Sequence, residues 1–390
     1  MKSLPQLYKT LATLLASSTW KDIRHQATFL WMVYGLIQSK ESNIPEWVPF
    51  VFSKAEQAQS TERRFTRWLH NSNIETENIY DPVIQKALAD WGKETLYIAL
   101  DTSMLWNTYC QIRICIIYRG RSVPLVWQVI EHGSSSVKFS YYKALLLRAK
   151  SLLPKNTRVV FTADRGFIDT NLMDFLSTEL NWNWRIRYKE SINIYRRSKR
   201  GNKLCLVKMT AQYGHARFYH HVYLTENHYG KVHLAFARHT GKTETWLIAS
   251  NEPTSRETFT EYGLRFDIEE GFKDDKSGVF DFESSKLRDA EALTRFYTVI
   301  AVAKLFLVSQ GVEVVAKGIR RQVDPHWQRG LSYLKIGLRY LAAIPSRGYK
   351  LIKEMILPSA SDPEPVHSSK GDLSSSARIG KFKTKTEVFI

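Results

Sequence analysis

Two short apolar runs, Thr95–Leu100 and Arg158–Ala163, each lead directly into an aspartate, Asp101 and Asp164. Between them lie Cys110–Tyr118, which alternates and is β-branched, a third strand pattern over Val123–Ile130, and a helical pattern over 138–153. A further helix is expected from about Asp169 to Leu180. The order βββαβα describes an α/β fold, a mixed sheet with flanking helices. Pro124 has no amide hydrogen to donate and places the third strand at a sheet edge. Sites in open sheets form where strands end, so Asp101 and Asp164 are candidates to share hard cations such as Mg²⁺. Taken singly, either aspartate could equally be a turn or cap residue.

A chain of 390 residues exceeds one ordinary core, so further domains are expected around this sheet. Residues 1–92 read as a helical N-terminal domain, apolar at Leu7, Leu11, Leu14 and Leu15 and again over Phe29–Ile37. Within it, Arg63, Arg64 and Arg67 gather on one side of a helix, while Phe65 and Trp68 face elsewhere. A DNA-binding face and a merely solvated basic face both fit that spacing. Residues 181–252 look like a β-rich inserted domain, with strands at Trp184–Tyr188, Leu204–Met209, His215–Tyr223 and Val232–Arg238. Over 182–250 it carries 13 Lys and Arg against Glu190, Glu226 and Glu244. Helical patterns resume over 253–310 and 311–357, and residues 358–390 read as a disordered tail.

Lys and Arg outnumber Asp and Glu by 56 to 38, a net charge of +18, which favours a polyanionic partner, double-stranded DNA foremost. The cysteines, Cys110, Cys115 and Cys205, form no CxxC pair, against a disulfide scaffold or structural zinc and in favour of a reducing cytoplasm. No apolar stretch with a cleavage site follows Met1–Lys9, so no signal peptide is expected. The longest apolar runs, Phe29–Ile37 and Tyr297–Val308, fall short of the ~18 residues of a membrane span, the second being broken by Lys304. Both read as buried helices, with no membrane partner.

Tyr262, Arg265, Glu269 and Lys276 spell Y-x2-R-x3-E-x6-K, a spacing that sets all four on one face of a helix. A carboxylate flanked by two cations suits an acid that holds metal while its neighbours grip phosphates. A plain Arg265–Glu269 salt bridge is the alternative. Glu270 points about 100° away, and Asp267, Asp274 and Asp275 lie off that face.

With both aspartates in order ahead of this tetrad, the chain resembles the DDE transposases of bacterial insertion sequences, specifically insertion sequence family 4. The likeness covers roughly residues 60–310 and includes Asp101-Thr102, the run Ala163–Phe167, the β-rich insertion and the run Trp246–Pro253. The resemblance implies an RNase H-like core over 93–180 and 253–310, with Asp101, Asp164 and Glu269 as a catalytic triad for two Mg²⁺ ions, Mn²⁺ substituting. It implies that Tyr262, Arg265 and Lys276 contact DNA phosphates. Trp246 would be either the aromatic that stacks on a flipped base or a buried strand tryptophan. Arg185 and Arg187, beside Trp184 on one strand, are candidates from charge alone to line a DNA channel. The implied activity is cut-and-paste transposition through hairpin ends by a homodimer on DNA. Two rivals stand beside it, an RNase H-like nuclease that joins nothing and an inactive, transposase-derived DNA-binding protein.

Overall fold

The computed structural model describes residues 4–53, 55–189, 194–195, 203–204, 214–238, 245–348, 350–366 and 383–388. The chain opens with helices α1 (Gln6–Leu14), α2 (Ile23–Ser39), α3 (Ala58–Leu69) and α4 (Thr76–Ala87). Asp22 starts α2 by accepting a hydrogen bond from the Arg24 amide at 2.8 Å. Strands β1 (Thr95–Leu105), β2 (Tyr109–Tyr118) and β3 (Arg121–Glu131) form an antiparallel meander. Helix α5 (Phe139–Leu152) then leads to β4 (Arg158–Ala163), and α6 (Thr170–Thr178) leads to β5 (Asn183–Arg187). The expected βββαβα order is the observed one.

The sheet runs β3-β2-β1-β4-β5, with β4 parallel to both β1 and β5. β3 lies at the edge, as Pro124 required, and the β2–β3 register shifts between Ile114 and Cys115, where Cys115 meets Pro124.

In the 181–252 segment, β5 pairs within the central sheet and the later strands extend that sheet. These are β6 (Ile194–Tyr195), β7 (Lys203–Leu204), β8 (His215–Leu224), β9 (Tyr229–Arg238) and β10 (Thr245–Ser250), in the order β5-β10-β9-β8-β6-β7. Of the strand expected over Leu204–Met209, residues 205–209 lie outside the described residues.

The N-terminal helices also share the main apolar core rather than closing a separate one. Trp47 stacks on Phe296 at 5.5 Å, and buried Arg295 donates to the carbonyls of Leu69 and Ile74 at 3.1 Å.

The second half supplies α7 (Arg256–Gly263), α8 (Phe266–Lys273), α9 (Ala290–Ala316) and α10 (Tyr333–Arg347). α9 has the length and hydropathy of a membrane span, longer than the apolar run alone indicated, but 89% of its most apolar window is buried within the fold. The tail is not wholly irregular. Asp362 and Glu364 accept hydrogen bonds from Arg329 and Arg320, and β11 (Lys383–Val388) pairs parallel to β8.

α8 lies against β1, β2 and β3, its Ile268 and Phe272 packed on Ala99, Cys115 and Ile117. Gly271 permits that approach, since a Cβ there would fall 1.9 Å from Ser122 Oγ. The helix then passes into a π turn, Asp274–Gly278, that turns Asp275 inward. The buried Asp275 carboxylate accepts from Arg113 of β2, from the Tyr297 hydroxyl at 2.7 Å and from Lys304 Nζ at 2.8 Å. Burial alone would raise this carboxyl; Lys304 and Arg113 outweigh it and hold the group below the usual carboxylate range.

Asp275→Asn strands two buried cations and is expected to lower stability by about 3–5 kcal/mol in urea unfolding. Gly271→Ala is expected to cost about 1–3 kcal/mol through overpacking. Losses near zero in both variants would contradict the fastening described.

Candidate active site

β1 and β4 run side by side through the pair Leu100↔Ala163 and part at the next residue of each. Asp101 and Asp164 are those residues, so adjacent strands ~4.8 Å apart bring the two carboxylates together. The sequence reading placed Asp101 at a strand end; β1 instead continues to Leu105, paired there with β2 alone. Asp164 ends β4 and caps a short 3-10 turn over Arg165–Phe167, its Oδ1 accepting from the Gly166 amide at 2.7 Å.

Glu269 reaches this pair from α8. Arg265 links them, with Nη1 3.4 Å from Asp101 Oδ2 and Nη2 2.5 Å from Glu269 Oε1. The Arg265 side chain is buried, whereas Glu269 is 44% exposed, so the glutamate arm faces open solvent. The salt bridge weighed from spacing is therefore real, and it ties Glu269 to the first aspartate.

Lys276 lies in the π turn, where Nζ donates to the Met104 carbonyl of β1 at 2.6 Å and stands 3.3 Å from Glu283. Tyr262 lies on the preceding helix, α7, and its ring stands 5.8 Å from the Arg265 guanidinium. A tight turn over Leu264–Arg265, closed by the Arg265 amide on the Tyr262 carbonyl at 3.0 Å, separates α7 from α8. Tyr262 is fully buried, its ring edge-on to Trp246 at 5.4 Å and to Phe266 at 6.4 Å.

Trp246 is 2% exposed and packs in that same cluster with Phe259, so of its two expected roles the structure displays the buried strand tryptophan. Arg185 does not line an open channel. It is buried and bonded to Glu252 and Glu261, both at 2.7 Å, because the strand it occupies is covered by α7. Arg187 is half-buried and donates to the Thr245 carbonyl at 2.9 Å. In α3, Arg63 and Arg67 are exposed, while Arg64 turns inward over Phe65 at 5.3 Å and near Tyr8. Two cations, not three, face solvent there.

Sequence reasoning missed Arg113, Asp275 and Lys304, which set the pose of α8. The signal was Lys304 itself, a charge inside an apolar helix that must find a buried partner.

The Asp101 carboxyl is pushed up to about 6, by burial first and then by Asp164 and Glu269, with Arg265 and the Thr102 amide acting against the shift. A desolvated carboxylate beside like charges is a fitting place for a cation. Among the described residues, however, no three His, Cys, Asp or Glu side chains stand together closely enough to hold a metal ion. Glu269 is turned to Arg265 instead.

The family model described as a transposase DDE domain matches residues 106–305. No curated protein matches the chain. Among solved structures, the chain is similar to a piggyBac transposase synaptic complex with hairpin DNA, at a TM-score of 0.45 and 9% identity, over 90% of this chain and 78% of that one. It is also similar to the Argonaute of Marinitoga piezophila in complex with 5′ OH guide RNA and target DNA, at a TM-score of 0.23 and 10% identity, over 56% of this chain and 33% of that one.

Because folding raises the Asp101 carboxyl, the ionised form costs the fold free energy. That cost is absent below the unfolded value near 4 and grows as pH rises through about 6. In chelator, Asp101→Asn is therefore expected to stabilise the chain at pH 7 by about 1–3 kcal/mol and to bring no gain at pH 4. Urea unfolding at the two pH values checks this, and an equal effect at both would show that the carboxyl is not desolvated.

Proposed function

The chain belongs to the transposase DDE domain family, and from that footing we propose that it cuts the ends of an insertion sequence and joins them to target DNA. The observation that carries this reading is Asp101 and Asp164 side by side where β1 and β4 part, with Glu269 tethered to Asp101 through Arg265. The strand order β3-β2-β1-β4-β5, with an antiparallel meander feeding a parallel half, supports an RNase H-like core. The tetrad Tyr262, Arg265, Glu269 and Lys276 supports membership of insertion sequence family 4.

Asp101, Asp164 and Glu269 are the residues that would hold two divalent ions, Mg²⁺ with Mn²⁺ as substitute, which when bound polarise the scissile phosphate and ease deprotonation of a water. Each step is an in-line displacement at phosphorus. Water first displaces the 3′ oxygen at the element's end. The freed 3′-OH attacks the opposite strand to make a hairpin. After the hairpin is reopened, the same 3′-OH attacks target DNA. Arg265 is bonded to two of these acids, and an incoming phosphate competes with Asp101 and Glu269 for its guanidinium; Lys276, held at the Met104 carbonyl of β1, is a second cation for phosphate. Tyr262 and Trp246 would reach DNA only if their aromatic cluster opened.

Arg63 and Arg67, exposed on α3, are proposed DNA contacts away from the site. Bringing two element ends together calls for two copies, so a homodimer on DNA belongs to the reading. A cytoplasmic, reducing setting fits the unpaired, buried Cys110 and Cys115.

The test mixes the purified chain with Mg²⁺ and linear DNA carrying the sequences that flank its own gene, with Glu269→Gln alongside. Hairpinned ends on a denaturing gel from the parent only, with both proteins binding the DNA, are expected. The parent's binding should also weaken steeply as salt rises. Cutting at the parent's rate by Glu269→Gln would remove Glu269 from the site. Cutting without joining of a 3′-OH end would leave a nuclease.

A further inference from the structure

Trp327 is 82% exposed, in the loop between the short 3-10 turn Arg320–Gln322 and the start of α10. The loop beneath it is tightly fastened. Asp324 is fully buried and accepts from Arg320 Nη1 at 3.0 Å, from the His326 amide at 3.1 Å and from the Gly330 amide at 3.3 Å. Buried Arg320 in turn donates to the carbonyls of His326 and Trp327 at 3.0 and 3.1 Å. The backbone at the indole is thus held from below, and the ring projects into solvent.

The surroundings are cationic. Arg321 stands over the indole, its guanidinium 4.3 Å from the ring centroid. Exposed Arg339 and Arg347 donate to the carbonyls of Val323 and Gln322 at 3.3 and 3.2 Å, which brings two more guanidinium groups to the same loop. Arg320 sets one positive charge against its two bonded carboxylates, Asp324 and Glu364, so the cationic character of the loop comes from Arg321, Arg339 and Arg347. An exposed indole on a fastened loop, with Arg321 over its ring and Arg339 and Arg347 on the same loop, is complementary to a strand with stacked bases and regular phosphates. An apolar protein surface would gain nothing from three such cations.

We propose that this loop is a DNA contact outside the Asp101–Asp164–Glu269 cluster. Trp327 stacks on an unpaired base or an opened duplex end, and Arg321, Arg339 and Arg347 hold the adjoining phosphates. The inference rests on the DNA-processing reading above. It adds that the chain grips DNA that has lost its pairing, at a surface made by the segment that follows α9.

The experiment uses the full chain carrying Glu269→Gln, so that nothing is cut, and measures fluorescence anisotropy of two labelled duplexes, one blunt and one with a single-stranded 3′ flank. The background protein is expected to prefer the flanked duplex. Adding Trp327→Ala should weaken binding to the flanked duplex roughly tenfold, the loss of one stacked base. Trp327→Phe should keep most of the affinity, and Arg321→Ala should lower the salt slope by about one. Equal binding by the Trp327→Ala and background proteins would overturn the inference while leaving the DNA-processing reading intact. So would a Trp327→Ala protein that loses dimers in sedimentation yet binds DNA as before, since the surface would then join two copies. A background protein that binds neither duplex would overturn both.

Discussion

The buried Asp275 carboxylate holds Arg113 of β2 and Lys304 of α9 at one point, with the Tyr297 hydroxyl closing the group. Three charges removed from water are costly, and they are tolerated only because nearly every polar atom has a partner. Arg113 also donates to the Ile268 carbonyl at 3.2 Å and lies 3.7 Å from the Phe272 ring, and Lys304 donates to the Gly271 carbonyl at 3.1 Å. Both cations therefore grip α8 as well as Asp275. Through them the height and rotation of α8 over the sheet are fixed, and with these the reach of Glu269 toward Asp101. Gly271 lets α8 sit this close to β3, since a Cβ there would meet Ser122 Oγ at 1.9 Å.

Above that anchored base the site is only partly assembled. Asp101 and Asp164 are fixed by strand register, a rigid constraint that needs no side-chain adjustment. Glu269 is free on one side and held on the other by Arg265, which acts as an internal counter-ion for two of the three acids. The Asp101 carboxyl is raised by burial first and then by Asp164 and Glu269, with Arg265 acting against the shift. On the proposed reading, phosphate and divalent ions take over the charges that Arg265 now balances, and the same guanidinium turns from carboxylate to substrate.

The sheet was legible because period-two runs such as Cys110–Tyr118 and the Asp-terminated strands leave one connectivity open. The two aspartates were legible for the same reason. Strand pairing joins residues far apart in sequence, and the parallel register of β1 and β4 follows from the crossover between them. The shared face of Tyr262, Arg265, Glu269 and Lys276 was read from an ideal helical spacing. A turn at Leu264–Arg265 interrupts that helix and sets the Tyr262 ring in the apolar cluster around Trp246, still 5.8 Å from the Arg265 guanidinium. Charge did not reveal which arginines face outward. Arg185 is buried under α7 and Arg64 is half-buried over Phe65 and near Tyr8, and packing of that kind leaves no periodic trace. The insertion looked separate because its composition changes, yet hydrogen bonding from β5 to β10 makes it one sheet with the core. The Asp275 group could have been found from Lys304, but its partners lie on different elements and only the fold brings them together.

Anomalous diffraction from crystals of the full chain grown with manganese and a DNA end tests the central claim most directly. The account predicts manganese peaks at Asp101 and Asp164, with Glu269 turned off Arg265 to join them and the Arg265 guanidinium on a DNA phosphate. Manganese absent from these carboxylates, with Glu269 still paired to Arg265 while DNA is bound, would contradict it.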